Sequence, residues 1–280
     1  MTEFWRRFGR EKPGVAGAIV LTLIVLAAAL GPLVWRDSPS TVVHATMGTP
    51  LSPSAAHPLG TDLLGRDQLA RALQGARVSL TVGITAMLIS VVLGALYGAI
   101  AGLAGGRVDA IMMRFVDAML SFPTFFLVIT VEALTNNFSL VVIVLVIGLL
   151  SWMGVARLVR GEVLTLRERD FVEAARALGA GPVRLITLHL LPNALAPVVV
   201  AGTLAVGDNI LIEAGLSYLG LGVQIPTASW GNMLQDALGT TAVSAPWMVL
   251  EPGALIIITL LGFNLMGEGL RVAFDRSITQ

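Results

Sequence analysis

Long stretches without a single charged side chain limit this sequence more than anything else in it. Val15 to Val34 gives 20 uncharged residues, Ser79 to Ala104 gives 26, and Ala133 to Ala156 gives 24. About 20 apolar residues in a helix cross a bilayer core. Inside lipid a backbone can satisfy its own polar groups only as a helix or a closed barrel, and runs of this length are helical. Three weaker apolar segments follow the same logic. One runs from about Met113 to Val131, with Arg114 and Asp117 near its entrance; the others run from about Leu190 to Leu211 and from about Ala254 to Phe274. The expected fold is an all-α integral membrane protein with six transmembrane helices. Charged residues are only 13% of the 280, against about 25% in a soluble domain, so there is too little charge to solvate a soluble surface.

Arginine distribution orients the spans, because cytoplasmic loops carry the excess of positive charge. Six spans put both termini on one side. That side receives Arg6, Arg7, Arg10, Lys12, Arg107, Arg114, Arg157, Arg160, Arg167, Arg169, Arg176, Arg184, Arg271 and Arg276, fourteen in all. The other side has four, Arg36, Arg66, Arg71 and Arg77, all in one loop. The expected order is a cytoplasmic N-terminus over 1–14, a membrane domain over 15–274 and a cytoplasmic tail over 275–280. Within it lie an external loop at 36–77, a cytoplasmic loop at 161–192 and a second external loop at 216–252. The first apolar run exceeds a signal-peptide core of roughly 7–15 residues, so it reads as an uncleaved span. Asn136-Asn137 reads as a turn at the start of the fourth.

Several chemistries are excluded. Cysteine is absent, which removes disulfides, thiolate nucleophiles and Cys-based metal sites. The net charge is zero, with no global basic patch for nucleic acid. The single lysine, Lys12, lies in Arg10-Glu11-Lys12-Pro13, not after the Gly-rich turn of a P-loop, so this chain has no such ATP site. His44, His57 and His189 are the only histidines; they form no His-Glu-x-x-His pair and fall on opposite sides of the membrane, which argues against zinc catalysis. Ser217 lacks the Gly-x-Ser-x-Gly setting of a hydrolase nucleophile. No catalytic, cofactor-binding or metal residue is therefore assigned.

Three segments are more than spans. In the outer loop, His57-Pro58-Leu59-Gly60-Thr61-Asp62-Leu63-Leu64-Gly65-Arg66-Asp67 is turn-rich and becomes helix-compatible from Asp67 to Leu80. It reads either as a connector capping the membrane surface or as a contact for an external partner. In the inner loop, Asp170 can N-cap a helix with Glu173 at N3, as in a capping box. Gly179 fits a C′ stop and Pro182 the first position of a second helix toward Leu191-Pro192. Small Ala174 and Ala175 would let another surface approach, with Phe171, Val172 and Leu178 as an apolar anchor. This hairpin could lie on lipid or insert into a groove of a partner. In the third segment, Leu216 to Glu251, there is no Lys or Arg. Trp230 and Trp247 suit a membrane interface, and the Gly/Pro content suggests a partly embedded loop, not a seventh span.

Glu173-Ala174-Ala175, three residues, Gly179, nine residues, His189 and then Leu191-Pro192 resemble the EAA motif of bacterial binding-protein-dependent ABC transporter permeases. The general pattern has Ile where His189 stands, but His beside the Leu-Pro step is common in the dipeptide/oligopeptide/nickel branch. The His57–Asp67 stretch, Leu216-Ser217-Tyr218-Leu219-Gly220-Leu221-Gly222-Val223, Pro226 and Ser229-Trp230-Gly231-Asn232-Met233-Leu234 are similar to that branch too. They match its second permease type, the one with the shorter external loop. The resemblance implies a second homologous permease, two ABC ATPase subunits holding ATP-Mg, and an external substrate-binding protein. It makes Glu173, Ala174, Ala175, Gly179 and Pro192 the ATPase-coupling loop, and it implies the bacterial inner membrane and peptides or related cargo. On this reading Gly179→Asp uncouples or disassembles the complex. The rival is an ion-coupled secondary transporter using Glu132, Asp208 or Glu213, since such proteins place ionisable groups within the membrane.

Overall fold

The computed structural model describes residues 2–35, 37–42, 48–135, 139–238 and 241–274. Arg36, His44, the expected Asn136-Asn137 turn and the tail 275–280 lie outside these. The helices are α1 (Thr2–Phe8), α2 (Lys12–Val34), α3 (Gln68–Ala104), α4 (Gly106–Leu120), α5 (Thr124–Thr135), α6 (Leu140–Leu150), α7 (Met153–Leu166), α8 (Asp170–Ala177) and α9 (Pro182–Arg184). A π-helical turn at Leu185–Leu190 leads to α10 (Leu191–Asn193), α11 (Leu195–Tyr218), α12 (Trp230–Asp236), α13 (Thr241–Ser244) and α14 (Trp247–Phe274). Extended pairing among the described residues is confined to two isolated bridges, Val42 with Arg66 and Thr61 with Asp67.

Five stretches are long and apolar enough to cross a membrane: Lys12–Val34, Gln68–Ala104, Leu140–Leu166, Leu195–Tyr218 and Trp247–Phe274. The expected third span, 113–131, is not one rod. It is α4 and α5, bent by 80°. The break falls at Ser121-Phe122-Pro123, where proline lacks an N–H and disfavours helix in the residue before it. Counting the bent pair as a crossing restores six. The expected fourth span began too early: 133–135 belong to α5, and the span runs from Leu140 to Leu166 through a short break at Ser151-Trp152. The fifth starts at Leu195, after the hairpin, and the sixth starts earlier, at Trp247.

α3 is the central post. Its 37 residues span roughly 55 Å at 1.5 Å each, more than the roughly 30 Å core of a bilayer. Glycine lets α7 lie against it. A Cβ on Gly98 would sit 2.2 Å from the Ala156 carbonyl oxygen, and one on Gly94 would sit 2.7 Å from that of Trp152. Small residues every fourth position allow such backbone approach in membranes, where dispersion replaces hydrophobic driving force. α2 meets α14 the same way, with a Cβ on Gly17 falling 2.6 Å from the Gly262 oxygen.

The described part of the loop before α3 is held by a network of caps and ion pairs. Asp67 caps α3 by accepting from the Ala70 N–H at 2.8 Å, and its carboxylate also receives the Trp35 indole (3.0 Å) and His57 Nδ1 (2.8 Å). Asp62 accepts from the Leu64 and Arg66 amides and pairs with Arg66 Nε at 2.6 Å. Arg66 and Arg71 then both reach Asp236 at the end of α12, at 2.9 and 2.6 Å. Buried charge survives only when paired, so this chain of ions locks the loop to α12. Asp37, His57 and Asp67 place ligand-type atoms within 4.8 Å of one another, but both Asp67 oxygens already serve the cap, Trp35 and His57.

The Trp230 ring does not face lipid or water, as an interfacial anchor would. It is fully buried and donates its indole N–H to the Ala72 carbonyl at 3.2 Å. Ser229 and Asn232 form a reciprocal capping box that starts α12. Within the third segment, α12 is thus a short helix wedged among α3, α11 and α14.

Candidate functional site

The loop between α7 and α11 folds as a hairpin of two short arms. Only 167–169 separate α7 from α8. Arg167 donates to the Gly102 carbonyl at the end of α3 (2.9 Å). Arg160 of α7 grips Asp109 of α4 through two 2.6 Å bonds. This bidentate geometry fixes direction as well as charge. The base of the hairpin is therefore tied to three helices.

Asp170 does not cap α8. The N-cap is Arg169, with no side-chain bond, and the capping box is not formed. Asp170 and Glu173 lie in the first turn instead, where carboxylates favour the positive end of the helix dipole. The stop is as expected. Gly179 has φ +84°; its N–H donates to the Arg176 carbonyl (2.9 Å), and the Ala180 N–H donates to that of Ala175 (3.0 Å). These two bonds are a Schellman motif. A Cβ on Gly179 would meet nothing within 4 Å, so a side chain is opposed there by backbone conformation and not by crowding.

The apolar residues of α8 divide between two faces. Val172 and Ala175 point inward and pack with Ala99, Val159, Val163, Leu185 and Leu190. They bind the hairpin to its own chain, which corrects the expectation that both would contact an outside surface. Glu173 and Ala174 are exposed. Phe171 is 41% exposed and Leu178 is 89% exposed. A concavity of about 370 Å³ lies between the arms, lined by Phe171, Ala174, Ala175, Leu178, Arg184 and His189.

The second arm starts at Pro182, in the first helical position as expected. Its middle is wider than an α-helix: the Leu191 N–H reaches back five residues to the Ile186 carbonyl. Pro192, exposed, follows directly and has no N–H to give. π-bulges of this kind recur at functional sites. Glu173, Ala174 and Ala175 thus sit on the first arm, Gly179 at the tip and Pro192 at the base of the second arm.

The three carboxylates of the ion-coupled alternative have different surroundings. Glu213 is fully buried and accepts from Ser79 and Ser217, each at 2.7 Å, which is a structural arrangement. Glu132 is fully buried, with no hydrogen bond to either oxygen among the described residues. Asp208 is exposed. They do not converge on one site.

A bundle of helices long and apolar enough to cross a membrane, with a short helical hairpin at one end, defines a polytopic membrane protein, and comparison supplies the family. Residues 94–280 match the family described as "Binding-protein-dependent transport system inner membrane component", and residues 1–53 match the "N-terminal TM domain of oligopeptide transport permease C". The chain belongs to this family of ABC transporter permeases. It is 40% identical to the dipeptide transport system permease protein DppC of Bacillus subtilis over 97% of this chain and 84% of the relative. It is also 40% identical to the oligopeptide transport system permease protein OppC of Haemophilus influenzae, over 96% and 86%. The di/tripeptide permease DppC of Pseudomonas aeruginosa is 39% identical over 98% and 91%. The fold matches a chain of the inward-facing MetNI methionine ABC transporter with TM-score 0.59 and 18% identity, over 72% of this chain and 96% of that one.

Proposed function

We propose that this permease works in an ATP-driven importer of dipeptides, oligopeptides or closely related solutes. It pairs with a second, homologous permease to enclose the pathway. Two ABC ATPase subunits hold ATP-Mg and dock on the hairpin, and an external binding protein delivers cargo at the opposite end. The chain lies in the bacterial inner membrane with both termini cytoplasmic, a side chosen by its fourteen basic residues. It hydrolyses nothing itself.

The observation that carries this reading is the two-faced hairpin. Val172 and Ala175 fasten α8 to the permease, while Phe171, Ala174 and Leu178 leave an apolar surface directed outward. An exposed apolar surface on an otherwise charged loop suits a protein groove. Because 167–169 tie α8 to α7, and α7 lies against α3 through glycine, a push on the hairpin reaches the central helix. Coupling needs the ATPase to hold the hairpin with different affinity in its two states; Glu173, Ala174, Gly179 and Pro192 shape the part that it would hold. The chain has no cysteine, so Leu178→Cys introduces one thiol at the tip. Crosslinking from it to an ATPase subunit in native membranes, altered by ATP, is the expected result. Crosslinks to lipid alone would refute the docking role.

A further inference from the structure

We infer that Asp208 lines the translocation pathway and draws cationic groups of the cargo, such as a free peptide ammonium, toward the middle of the membrane. The inference rests on the transport reading above. Asp208 is the fourteenth residue of α11, roughly 20 Å from one end and 15 Å from the other. That depth lies within the hydrocarbon. The side chain is exposed, and no hydrogen bond or ion pair reaches it among the described residues. Its two neighbours in sequence define where it points. Gly207 faces Leu260 and Phe263 of α14. Asn209 donates to the Gly83 carbonyl of α3. Asp208 therefore occupies the side of α11 that neither helix covers.

Other helices border that side above and below Asp208. Leu204, one turn below, packs against Gly267 of α14, and Phe125 of α5 packs against Gly215, two turns above. On α14, Asn264 is exposed between Leu260 and Gly267, adding a second polar group beside the same face. A bare carboxylate facing lipid is costly, and such residues face bundle interiors or water-filled cavities. In a two-permease transporter an open helix face with polar groups at this depth is one side of a pathway. A negative charge there attracts cations and repels anions.

The test again uses the absence of cysteine. Leu211→Cys puts a thiol one turn above Asp208, about 5–6 Å away. In vesicles holding the whole transporter, the thiol is titrated with a cationic trimethylammonium methanethiosulfonate and an anionic sulfonate one. We expect both to react, the cationic reagent on the order of tenfold faster relative to the anionic one than in an added Asp208→Asn background. Uptake of a free-amine dipeptide should also fall more in Asp208→Asn than uptake of its N-acetylated form. Leu204→Cys is the second reporter if the first disturbs assembly. A thiol reached only by a lipid-soluble maleimide, one reached only after the subunits are separated, or a charge ratio unchanged by Asp208→Asn overturns the inference. ATP-dependent uptake by the unaltered transporter is measured in the same vesicles; its absence defeats the transport reading, whereas its presence with no charge preference defeats only the role of Asp208.

Discussion

Replacing Gly179 with alanine isolates one physical cost at the hairpin tip. The φ of +84° is left-handed, which a Cβ disfavours by about 1–2 kcal/mol. There is open space around that position, so no steric term adds to it. Asparagine tolerates this conformation better than alanine. The two amides of the Schellman stop, Gly179 and Ala180, report the effect directly, since they exchange with solvent only when the stop opens. Alanine should speed the Ala180 exchange by roughly 5- to 30-fold, the factor that about 1–2 kcal/mol sets. Asparagine should give a smaller increase. Membrane-embedded amides of α3 should not change. If the stop fixes α8 for the ATPase, cargo-stimulated ATP hydrolysis falls in the same order, alanine below asparagine below glycine. Equal exchange in all three variants would refute the strain argument. Normal exchange with lost hydrolysis would show that Gly179 matters for another reason. The expected harm from Gly179→Asp has the same origin, with an added charge at the tip.

Other consequences follow from single contacts. Gly98→Leu forces a side chain where even a Cβ would lie 2.2 Å from backbone; overpacking costs about 1–3 kcal/mol or more, so the variant should unfold at lower temperature in detergent. Gly154→Ala, on α7 with nothing within 4 Å, should be neutral or stabilising by under about 1 kcal/mol. Asp236→Asn removes the carboxylate shared by Arg66 and Arg71; with Asp236 29% exposed, the loss should be about 1–3 kcal/mol, below the roughly 3–5 kcal/mol of a fully buried pair, and proteolysis at the outer loop should become easier. Val172→Ala empties two methyl groups of volume under α8 and should cost about 2 kcal/mol of hairpin stability, seen as faster exchange across 170–177 with the spans unaffected.

The apolar runs of α2, α3 and α6 were legible in the sequence because a bilayer demands length and absence of charge, both of which can be counted. The hairpin was legible for a different reason: Gly179 and Pro182 have conformational preferences strong enough to mark a stop and a start. Asp170 misled because a residue suited to an N-cap is also suited to the first turn, and only the backbone of Arg169 decides between them. The 80° break at Ser121-Phe122-Pro123 was hidden by the apolar residues on both sides, which hydropathy averages over a proline. Trp230 looked like an interfacial anchor because composition cannot tell a ring facing lipid from one facing Ala72. The ion chain from Asp62 to Asp236 is closed by Arg66 and Arg71, which meet Asp236 across 170 and 165 positions, and no local pattern marks such a contact. The closest sequence sign was the clustering of four arginines in a single outer segment. The face division of α8 is a matter of helix rotation, which Val172 and Ala175 reveal only once their packing partners are known.

The most direct test of the coupling reading is uptake by the complete transporter in sealed vesicles, with ATP supplied only on the side bearing the hairpin and ion gradients collapsed. Peptide accumulation that requires that ATP, and that is lost when Gly179→Asp is introduced with the complex still assembled, is the expected outcome. Accumulation driven by an ion gradient without ATP, or unaffected by changes at the hairpin, would contradict it.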